Sequence, residues 1–294
     1  MSPWCCLNRV DSDTTTFQWD PNTAPAFSFE QHNHDAKNLF LADASLNKHT
    51  GKYAAISGCT RGIGVSMAMG LAEAGADVCL LQRNVEDVHV RDAIRALGRR
   101  AEIVHLDASD QASVRTVVDR ILQVFPTLDI LVNNAGMAIR HKAVDFPEED
   151  FDKVIQVNLK AVWTMSQAAA RHMIPKGQGK IISTASVLSY QGGLFVPSYS
   201  ASKGAVATLT KAMANEWAKH GINVNAIAPG YIATDMNAAL REDPERNRQL
   251  SERIPAGRYG TPDDFKGPVV YLASRASDYV HGEMTLVDGG WMGR

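Results

Sequence analysis

Tyr199 and Lys203 stand at a spacing that suits acid–base chemistry. They form a Y-x-x-x-K pair at the start of a predicted helix, and residues four apart lie on one helix face. A lysine ammonium beside a phenol stabilises the phenolate and lowers the tyrosine pKa from about 10. Tyr199 would then exchange protons near neutral pH. The pair alone also fits an ordinary helix surface, since chance produces such pairs in chains of this length.

Other polar residues lie near the ends of predicted strands, where parallel α/β sheets bind ligands. Ser186 lies just past one strand end, N-N-A-G (133–136) closes another, and P-G (229–230) follows a third, with Thr234 close behind. Asn158 lies within an apolar helical stretch, where a buried amide needs a hydrogen-bond partner. Together with the tyrosine–lysine pair, these residues are of the types, and at the strand ends, that are typical of a catalytic site.

A glycine-rich turn, S-G-C-T-R-G-I-G (57–64), joins the first predicted strand to a helix. Gly58, Gly62 and Gly64 permit a tight turn and close approach of the backbone to a pyrophosphate, and the helix N-terminus supplies free N–H groups. The spacing G-x-x-x-G-x-G differs from the common G-x-G-x-x-G fingerprint. Its strand–turn–helix context still indicates dinucleotide binding.

The second predicted strand ends at Gln82 and Arg83. An NAD enzyme usually has Asp or Glu here to hold the ribose 2′-hydroxyl. Gln82 brings no negative charge, Arg83 could pair with a 2′-phosphate, and Arg61 of the glycine-rich turn could reach the same group. The alternative is two solvated arginines. The sequence therefore predicts NADP(H) as the preferred cofactor, with NAD(H) possible.

Short apolar runs alternate with longer amphipathic stretches from Lys52 onward. Apolar strands between helices indicate a parallel sheet covered on both faces. The predicted fold class is α/β, a single doubly wound, Rossmann-type domain with a seven-stranded parallel sheet. The predicted strands are Tyr53–Ser57, Asp77–Gln82, Glu102–Leu106, Leu128–Asn133, Lys180–Thr184, Asn223–Ala228 and Met284–Val287. The predicted helices span about 62–74, 85–98, 110–125, 148–174 and 198–219.

Composition and charge exclude several classes of protein. Thirty Lys and Arg against thirty-two Asp and Glu give a net charge of −2, so we expect neither a nucleic-acid partner nor a membrane surface. The uncharged stretch Ile181–Ser202 contains glycines, a proline and many serines, which favour a strand and a loop over a membrane span. Four cysteines without a C-x-x-C pair predict reduced thiols, and we expect no metal site.

The N-terminal region differs in composition from the rest of the chain. Residues 1–48 are rich in Asp, Asn, Thr, Ser, Pro and His, which predicts an extension that is partly disordered or docked on the surface. Residues 49–294 are predicted to form the dinucleotide-binding catalytic domain, with a helical substrate lid at about 231–258. The chain starts without the apolar run of a secretory signal, so we expect a cytoplasmic protein.

Together, these motifs resemble the short-chain dehydrogenase/reductase family over about residues 50–294. Ser57 stands where the family usually has Thr, and it keeps the hydroxyl. The resemblance implies that Tyr199 is the general acid in ketone reduction, that Ser186 hydrogen-bonds the carbonyl oxygen, and that Lys203 holds the nicotinamide ribose. It implies that Asn158 holds a water linking the lysine to solvent. The implied cofactor-binding residues are Gly58, Thr60, Arg61, Gly62, Ile63, Gly64, Arg83, Asn84, Asp107, Asn134, Ala135, Gly136, Tyr199, Lys203, Pro229, Gly230, Ile232 and Thr234.

Within that family, several segments are similar to the 2-dehydro-3-deoxy-D-gluconate 5-dehydrogenases, also called 2-deoxy-D-gluconate 3-dehydrogenases. They include S-Y-Q-G-G-L-F-V-P-S-Y (189–199) and R-I-P-A-G-R-Y-G (253–260). This similarity implies a sugar acid or related polyhydroxy compound as substrate. Arg140 could then bind a carboxylate bidentately, and the other expected substrate contacts are Ser186, Gln191 and Tyr199.

Two other functions remain open at this point. The subgroup is mostly NAD-linked and has no long N-terminal extension, whereas this chain has the extension and predicts NADP(H). These departures leave a different substrate open. The nearest alternative is a ketose or polyol reductase, or a ketoreductase that tailors a biosynthetic product. A dinucleotide-sensing protein without catalytic activity would not need all four catalytic residues. The resemblance further implies a homotetramer, and we expect the apolar Trp291 and Met292 to be buried against another subunit.

Overall fold

A seven-stranded parallel sheet lies at the centre of the computed structural model, which describes residues 48–237 and 242–294. Its strand order is β3-β2-β1-β4-β5-β6-β7. The direction of winding reverses between β1 and β4, and a crevice forms outside the carboxyl ends of strands at such a point. The strands are β1 (Tyr53–Ser57), β2 (Asp77–Gln82), β3 (Ala101–His105), β4 (Ile130–Asn133), β5 (Gly179–Thr184), β6 (Ile222–Pro229) and β7 (Met284–Val287).

Helices cover both faces of this sheet. In the described part of the chain they are α1 (Ile63–Glu73), α2 (His89–Ala96), α3 (Gln111–Val124), α4 (Glu148–Ile155), α5 (Ala161–Met173), α6 (Pro197–Trp217), α7 (Pro244–Arg253) and α8 (Lys266–Ala273). A π-helical turn, Gln156–Lys160, joins α4 to α5. One apolar layer packs α3 and α5 on the sheet, and the other packs α1 and α8 on the opposite face. Every residue of β4 and β6 is buried, as expected for central strands of a doubly covered sheet.

The predicted α/β architecture is confirmed, and each predicted strand is present to within two residues at either end. The single predicted helix 148–174 is interrupted by the π turn, and α8 was not predicted. The uncharged stretch Ile181–Ser202 forms β5, a loop and the start of α6. In the described residues, no helix has the length and apolar character needed to cross a membrane.

The prediction for Trp291 was wrong. Its side chain is 2% exposed within its own chain. Arg253 at the end of α7 lies 3.9 Å from its ring centroid, and Tyr231 packs on it at 4.6 Å between ring centroids. Tyr231 and Arg253 of the same chain therefore cover Trp291, and no other subunit is needed to bury it.

Two predictions lie partly or wholly outside the described residues. The N-terminal extension with Cys5 and Cys6 falls in 1–47, and the predicted lid includes 238–241. Of the other cysteines, Cys59 and Cys79 are buried free thiols. Burial raises the pKa of Cys59 to about 12 and also raises the pKa of Cys79, so both are unreactive at neutral pH.

The hydroxyl of Ser57 joins β1 to β4 where both strands end. It accepts hydrogen bonds from the backbone N–H groups of Asn134 at 3.1 Å and Ala135 at 3.0 Å, and Ser57 is fully buried. These two hydrogen bonds are partly buried, so the loss of their common acceptor would be costly.

We expect Ser57→Ala to destabilise the protein by about 1–3 kcal/mol, because it removes the acceptor of two partly buried N–H groups. The measurement is urea-induced unfolding, with the midpoint and slope compared with those of the original chain. Ser57→Thr keeps the hydroxyl and serves as the matched control. An alanine variant as stable as the threonine variant would mean that the backbone groups find another partner.

Candidate active site

The side chain of Asn134 ties together three strand ends at the sheet edge. Its Nδ2 donates to the carbonyl oxygens of Ser57 at 3.1 Å and Gly58 at 2.9 Å, and its Oδ1 accepts from Thr184 Oγ1 at 3.2 Å. The amide is therefore occupied in holding the glycine-rich turn against β4 and β5. The sequence predicted that Asn134 and its neighbours line the cofactor, and the structure shows what its side chain bonds to.

The glycine-rich turn is packed too closely for side chains. A Cβ at Gly64 would lie 2.1 Å from the carbonyl oxygen of Gly58, and Gly58 and Gly62 have φ values of +66° and +59° that favour glycine. The first turn of α1, which follows, carries no acidic residue, and no side chain caps its N-terminus within the described residues. Its N–H groups and dipole are thus available to an anion such as a pyrophosphate.

Lys203 is buried beside Tyr199 on α6. Its Nζ donates to the carbonyl oxygen of Thr184 at 2.5 Å and lies 5.6 Å from the centroid of the Tyr199 ring. Lys203 is 3% exposed, and burial lowers its pKa to about 8. The ammonium is therefore costly to keep charged, and it remains charged at pH 7 in the most enclosed part of the site.

Three features influence the proton of Tyr199. Burial raises its pKa, while a hydrogen bond with the Ser186 side chain and the positive charge of Arg140 both lower it. The Ser186 hydroxyl also accepts from the backbone N–H of Leu188 at 3.1 Å. Ser186, Tyr199 and Arg140, predicted separately from the sequence, thus lie close together in the structure.

Asn158 lies in the π turn and is fully buried. Its Oδ1 accepts from the N–H of Met137, and its Nδ2 donates to the carbonyl oxygen of the same residue, both at 2.9 Å. Nδ2 also donates to Ser202 Oγ at 3.1 Å. A Cβ at Gly136 would lie 3.5 Å from Asn158 Oδ1 and 3.6 Å from Lys203 Nζ. The amide oxygen and the ammonium therefore both lie close to Gly136, and the predicted relay through Asn158 remains a prediction.

The end of β2 carries the residues predicted to recognise the cofactor's 2′-phosphate. Gln82 is 4% exposed, and its Nε2 donates to the carbonyl oxygens of Asn84 at 2.6 Å and Asp87 at 2.7 Å. Its side chain therefore braces the turn that carries the exposed Arg83. Arg83 also acts electrostatically on Asp107, whose pKa is lowered chiefly by a hydrogen bond from Ser109.

The loop after β6 meets the glycine-rich turn. Arg61 Nη1 lies 3.7 Å from Asp235 Oδ2, and both side chains are mostly exposed. Thr234 Cγ2 lies 3.4 Å from where a Cβ of Gly62 would stand. Ile232 is buried in the core and pairs with Gly260 in a β-bridge. Thr234 and Arg61 therefore border the same crevice, whereas Ile232 supports it from the core.

The other predicted site residues occupy the same sheet edge. Gly230 is packed so tightly on Asp288 that a Cβ would lie 2.7 Å from its Cα. Gln191 is half-buried in the loop between β5 and α6. Sequence reasoning missed Thr184 and Ser202, whose carbonyl and hydroxyl bond Lys203 and Asn158. Both lie next to predicted residues, but only the folded chain shows which groups bond.

Comparison with known proteins gives consistent matches. The family described as Enoyl-(Acyl carrier protein) reductase matches residues 58–292. The chain is 51% identical over 245 residues to 2-dehydro-3-deoxy-D-gluconate 5-dehydrogenase of Escherichia coli strain K12, covering 83% of this chain and 96% of that one. It is 42% identical to gluconate 5-dehydrogenase of Gluconobacter oxydans, covering 85% and 98%. A crystal structure of gluconate 5-dehydrogenase from Burkholderia cenocepacia with NADP and tartrate matches with a TM-score of 0.82 at 41% identity, covering 85% and 98%.

We expect Lys203→Met to abolish turnover while stabilising the protein without cofactor by about 1–2 kcal/mol at pH 7. Holding the buried ammonium charged costs about 3 kcal/mol, and the unpaired Thr184 carbonyl offsets part of the gain. Because the folded pKa is about 8 and the unfolded value about 10.4, the unfolded chain binds more protons between these values. The original chain therefore gains stability as pH rises through this window.

The measurement is urea unfolding of the original chain and the methionine variant at pH 7 and pH 9. We expect the difference between their free energies of unfolding to be about 1 kcal/mol smaller at pH 9. Tyr199→Phe is the matched control on the same helix. It should also lose turnover, keep cofactor binding and show no such stabilisation, since it leaves Lys203 in place. A methionine variant that is less stable at pH 7 would contradict the cost assigned to the ammonium.

Proposed function

The chain belongs to the short-chain dehydrogenase/reductase family, and on that premise we propose that it is an NADP(H)-dependent oxidoreductase of sugar acids. It interconverts a ketone and a secondary alcohol. The observation that carries this proposal is that the Arg140 loop is hydrogen-bonded to the loop before α6, through His141 N–H and the Phe195 carbonyl at 3.1 Å, and that the charge of Arg140 acts on the Tyr199 phenol. A cation at that position suits a substrate whose carboxylate lies near the reacting carbonyl.

In the reductive direction, one hydride and one proton convert the ketone to the alcohol. The cofactor, which the glycine-rich turn and Lys203 would hold, would supply the hydride for the carbonyl carbon. Tyr199 donates its phenolic proton to the carbonyl oxygen, and Ser186 donates a hydrogen bond to the same oxygen. Lys203, charged at pH 7, stabilises the phenolate that remains. The proton would be replaced through the predicted relay of Lys203 and Asn158, and in oxidation the steps reverse.

The residues present fit a dinucleotide with a 2′-phosphate. Gly58, Gly62 and Gly64 leave no side chain where the pyrophosphate would approach, and the uncapped N-terminus of α1 favours an anion. Arg83 supplies positive charge at the end of β2, where Gln82 stands instead of an acidic residue, and the exposed Arg61 of the glycine-rich turn would exchange Asp235 for the phosphate. The NADP bound to the Burkholderia relative supports the same assignment.

The substrate assignment rests on the relatives and on Arg140. The enzymes most similar among those described carry names of gluconate and 2-dehydro-3-deoxy-D-gluconate 5-dehydrogenases, and tartrate, a hydroxy acid, occupies the Burkholderia structure. We assign Arg140 to the carboxylate and Gln191 to a substrate hydroxyl. A ketose or polyol reductase would have no use for a cation beside the phenol.

We further infer a cytoplasmic homotetramer whose segment 231–258 forms a lid over the substrate. Large apolar side chains support the association. Phe151 and Trp163 on α4 and α5 are each 38% exposed, and Leu286 on β7 is 42% exposed. The buried free thiols of Cys59 and Cys79 suit a reducing compartment.

The proposal is tested by following oxidation of NADPH and NADH with keto-sugar acids and with neutral ketoses of the same chain length. We expect NADPH and the acids to be preferred. Arg140→Ala should raise KM for the acids about 10- to 100-fold through loss of a charged hydrogen bond and leave KM for neutral ketoses unchanged. Arg140→Lys, which keeps the charge but not the bidentate geometry, should lie between. Turnover of neutral ketoses alone would refute the sugar-acid assignment.

For the cofactor, we expect Arg83→Ala to weaken NADP⁺ binding about 10- to 100-fold while leaving NAD⁺ binding unchanged. Fluorescence titration of both nucleotides measures this, and Arg115→Ala, an exposed arginine on α3, is the matched control. Gln82→Glu should lose NADP⁺ affinity without gaining NAD⁺ affinity, because its carboxylate would face the carbonyls of Asn84 and Asp87. Equal losses for both nucleotides in Arg83→Ala would contradict a phosphate contact.

A further inference from the structure

Two loops border the candidate site and are joined to each other. One, residues 134–147, connects β4 to α4, and the other, residues 185–196, connects β5 to α6. The backbone N–H of His141 donates to the carbonyl oxygen of Phe195 at 3.1 Å. Phe195 has φ +64°, a left-handed conformation that L residues with a side chain adopt only when their surroundings hold them there. The loop that leads into the catalytic helix is therefore fixed at this contact.

The side chain of His141 is anchored as firmly as its backbone. Its Nε2 lies 2.8 Å from Asp150 Oδ2 on the first turn of α4. Its ring meets Phe146 edge to face, with 5.1 Å between ring centroids and 88° between ring planes. Asp150 and Phe146 therefore fix both the position and the orientation of the imidazole.

His141 stands in the middle of three consecutive basic residues, Arg140, His141 and Lys142. These three lie in different surroundings. Asp150 holds the imidazole, Lys142 is exposed at the start of the short turn Ala143–Asp145, and the charge of Arg140 acts on Tyr199. Anchoring the central residue restricts the direction in which its neighbours leave the backbone, and this restriction favours Arg140 as the side chain of the three that acts on the phenol.

We propose that His141, held by Asp150, is a positioning residue that keeps Arg140 at the substrate's carboxylate and thereby sets the preference for acids over neutral ketones. This inference rests on the proposed function and extends it to residues that do not touch the reacting atoms. Loss of the side-chain anchor leaves Tyr199 and Lys203 in place on α6, and Ser186 in place directly after β5, because the backbone bond from His141 to Phe195 remains. It affects binding of the acid and spares the chemical step.

The test compares His141→Phe, which keeps the ring on Phe146 but cannot bond Asp150, with His141→Gln, whose amide Nε2 can still donate to Asp150. We expect His141→Phe to raise KM for a keto-sugar acid about tenfold relative to KM for the matching neutral ketose, with kcat and KM for NADPH within about twofold. His141→Gln should restore the original KM ratio. Asp150→Ala reaches the same contact from α4 and should reproduce the effect, and combining it with His141→Phe should add nothing further.

Each result decides the proposal. Equal changes in KM for the acid and the neutral ketose, or no change in either, would overturn the positioning role. A fall in kcat without a change in the KM ratio would do the same, because it would locate the effect in the chemical step. If the original enzyme reduces only neutral ketoses, the proposed function fails, and this inference fails with it. If the enzyme reduces the acids and His141→Phe behaves like the original chain, only this inference is wrong.

Discussion

The site depends on keeping one ammonium group charged inside the protein. Lys203 is almost completely removed from water, and its Nζ donates to a single backbone carbonyl, that of Thr184. A buried amine with few partners shifts toward its neutral form, and here the pKa falls only to about 8. The charge therefore survives at neutral pH at a cost in stability, as expected where a function requires a strained or poorly solvated group. In the proposed mechanism, that charge would stabilise the phenolate that remains when Tyr199 gives up its proton.

The surrounding elements can be understood as the supports of that group. The carbonyl that receives Lys203 is at the end of β5, and Asn134 holds the same strand end to the glycine-rich turn through Thr184. The π turn holds the buried Asn158, which bonds Met137 and Ser202, and such turns occur often at functional positions. Gly136 lies close to both Asn158 Oδ1 and Lys203 Nζ. These supports lie close together because the carboxyl ends of parallel strands meet at one edge of the sheet.

The sequence predicted the sheet well, for reasons that are local, and the residues that it named for the site follow from the same strand ends. Strands such as β2 and β7 are apolar runs bounded by turn residues, and these patterns depend only on neighbours in the chain. Two features were not predicted correctly, helix α8 and the surroundings of Trp291. The sequence did not predict helix α8, because Gly267 and Pro268 interrupt its apolar pattern, although proline is tolerated in the first turn of a helix. Trp291 was assigned to a subunit interface because its cover, Tyr231 and the end of α7, is distant in sequence.

The same distinction explains what could be known about recognition. The sequence shows that position 82 carries Gln and no acidic residue. It does not show that the Gln82 amide braces the turn that carries Arg83, because the amide donates to two backbone carbonyls and not to side chains. Arg140 could be named as a cation, and only folding places it beside Tyr199. A substrate carboxylate there would partly neutralise Arg140 and weaken its lowering of the tyrosine pKa. Binding of a substrate carboxylate would thus keep Tyr199 protonated, which is the form that ketone reduction requires. One arginine would then act both in substrate recognition and on the protonation state of Tyr199.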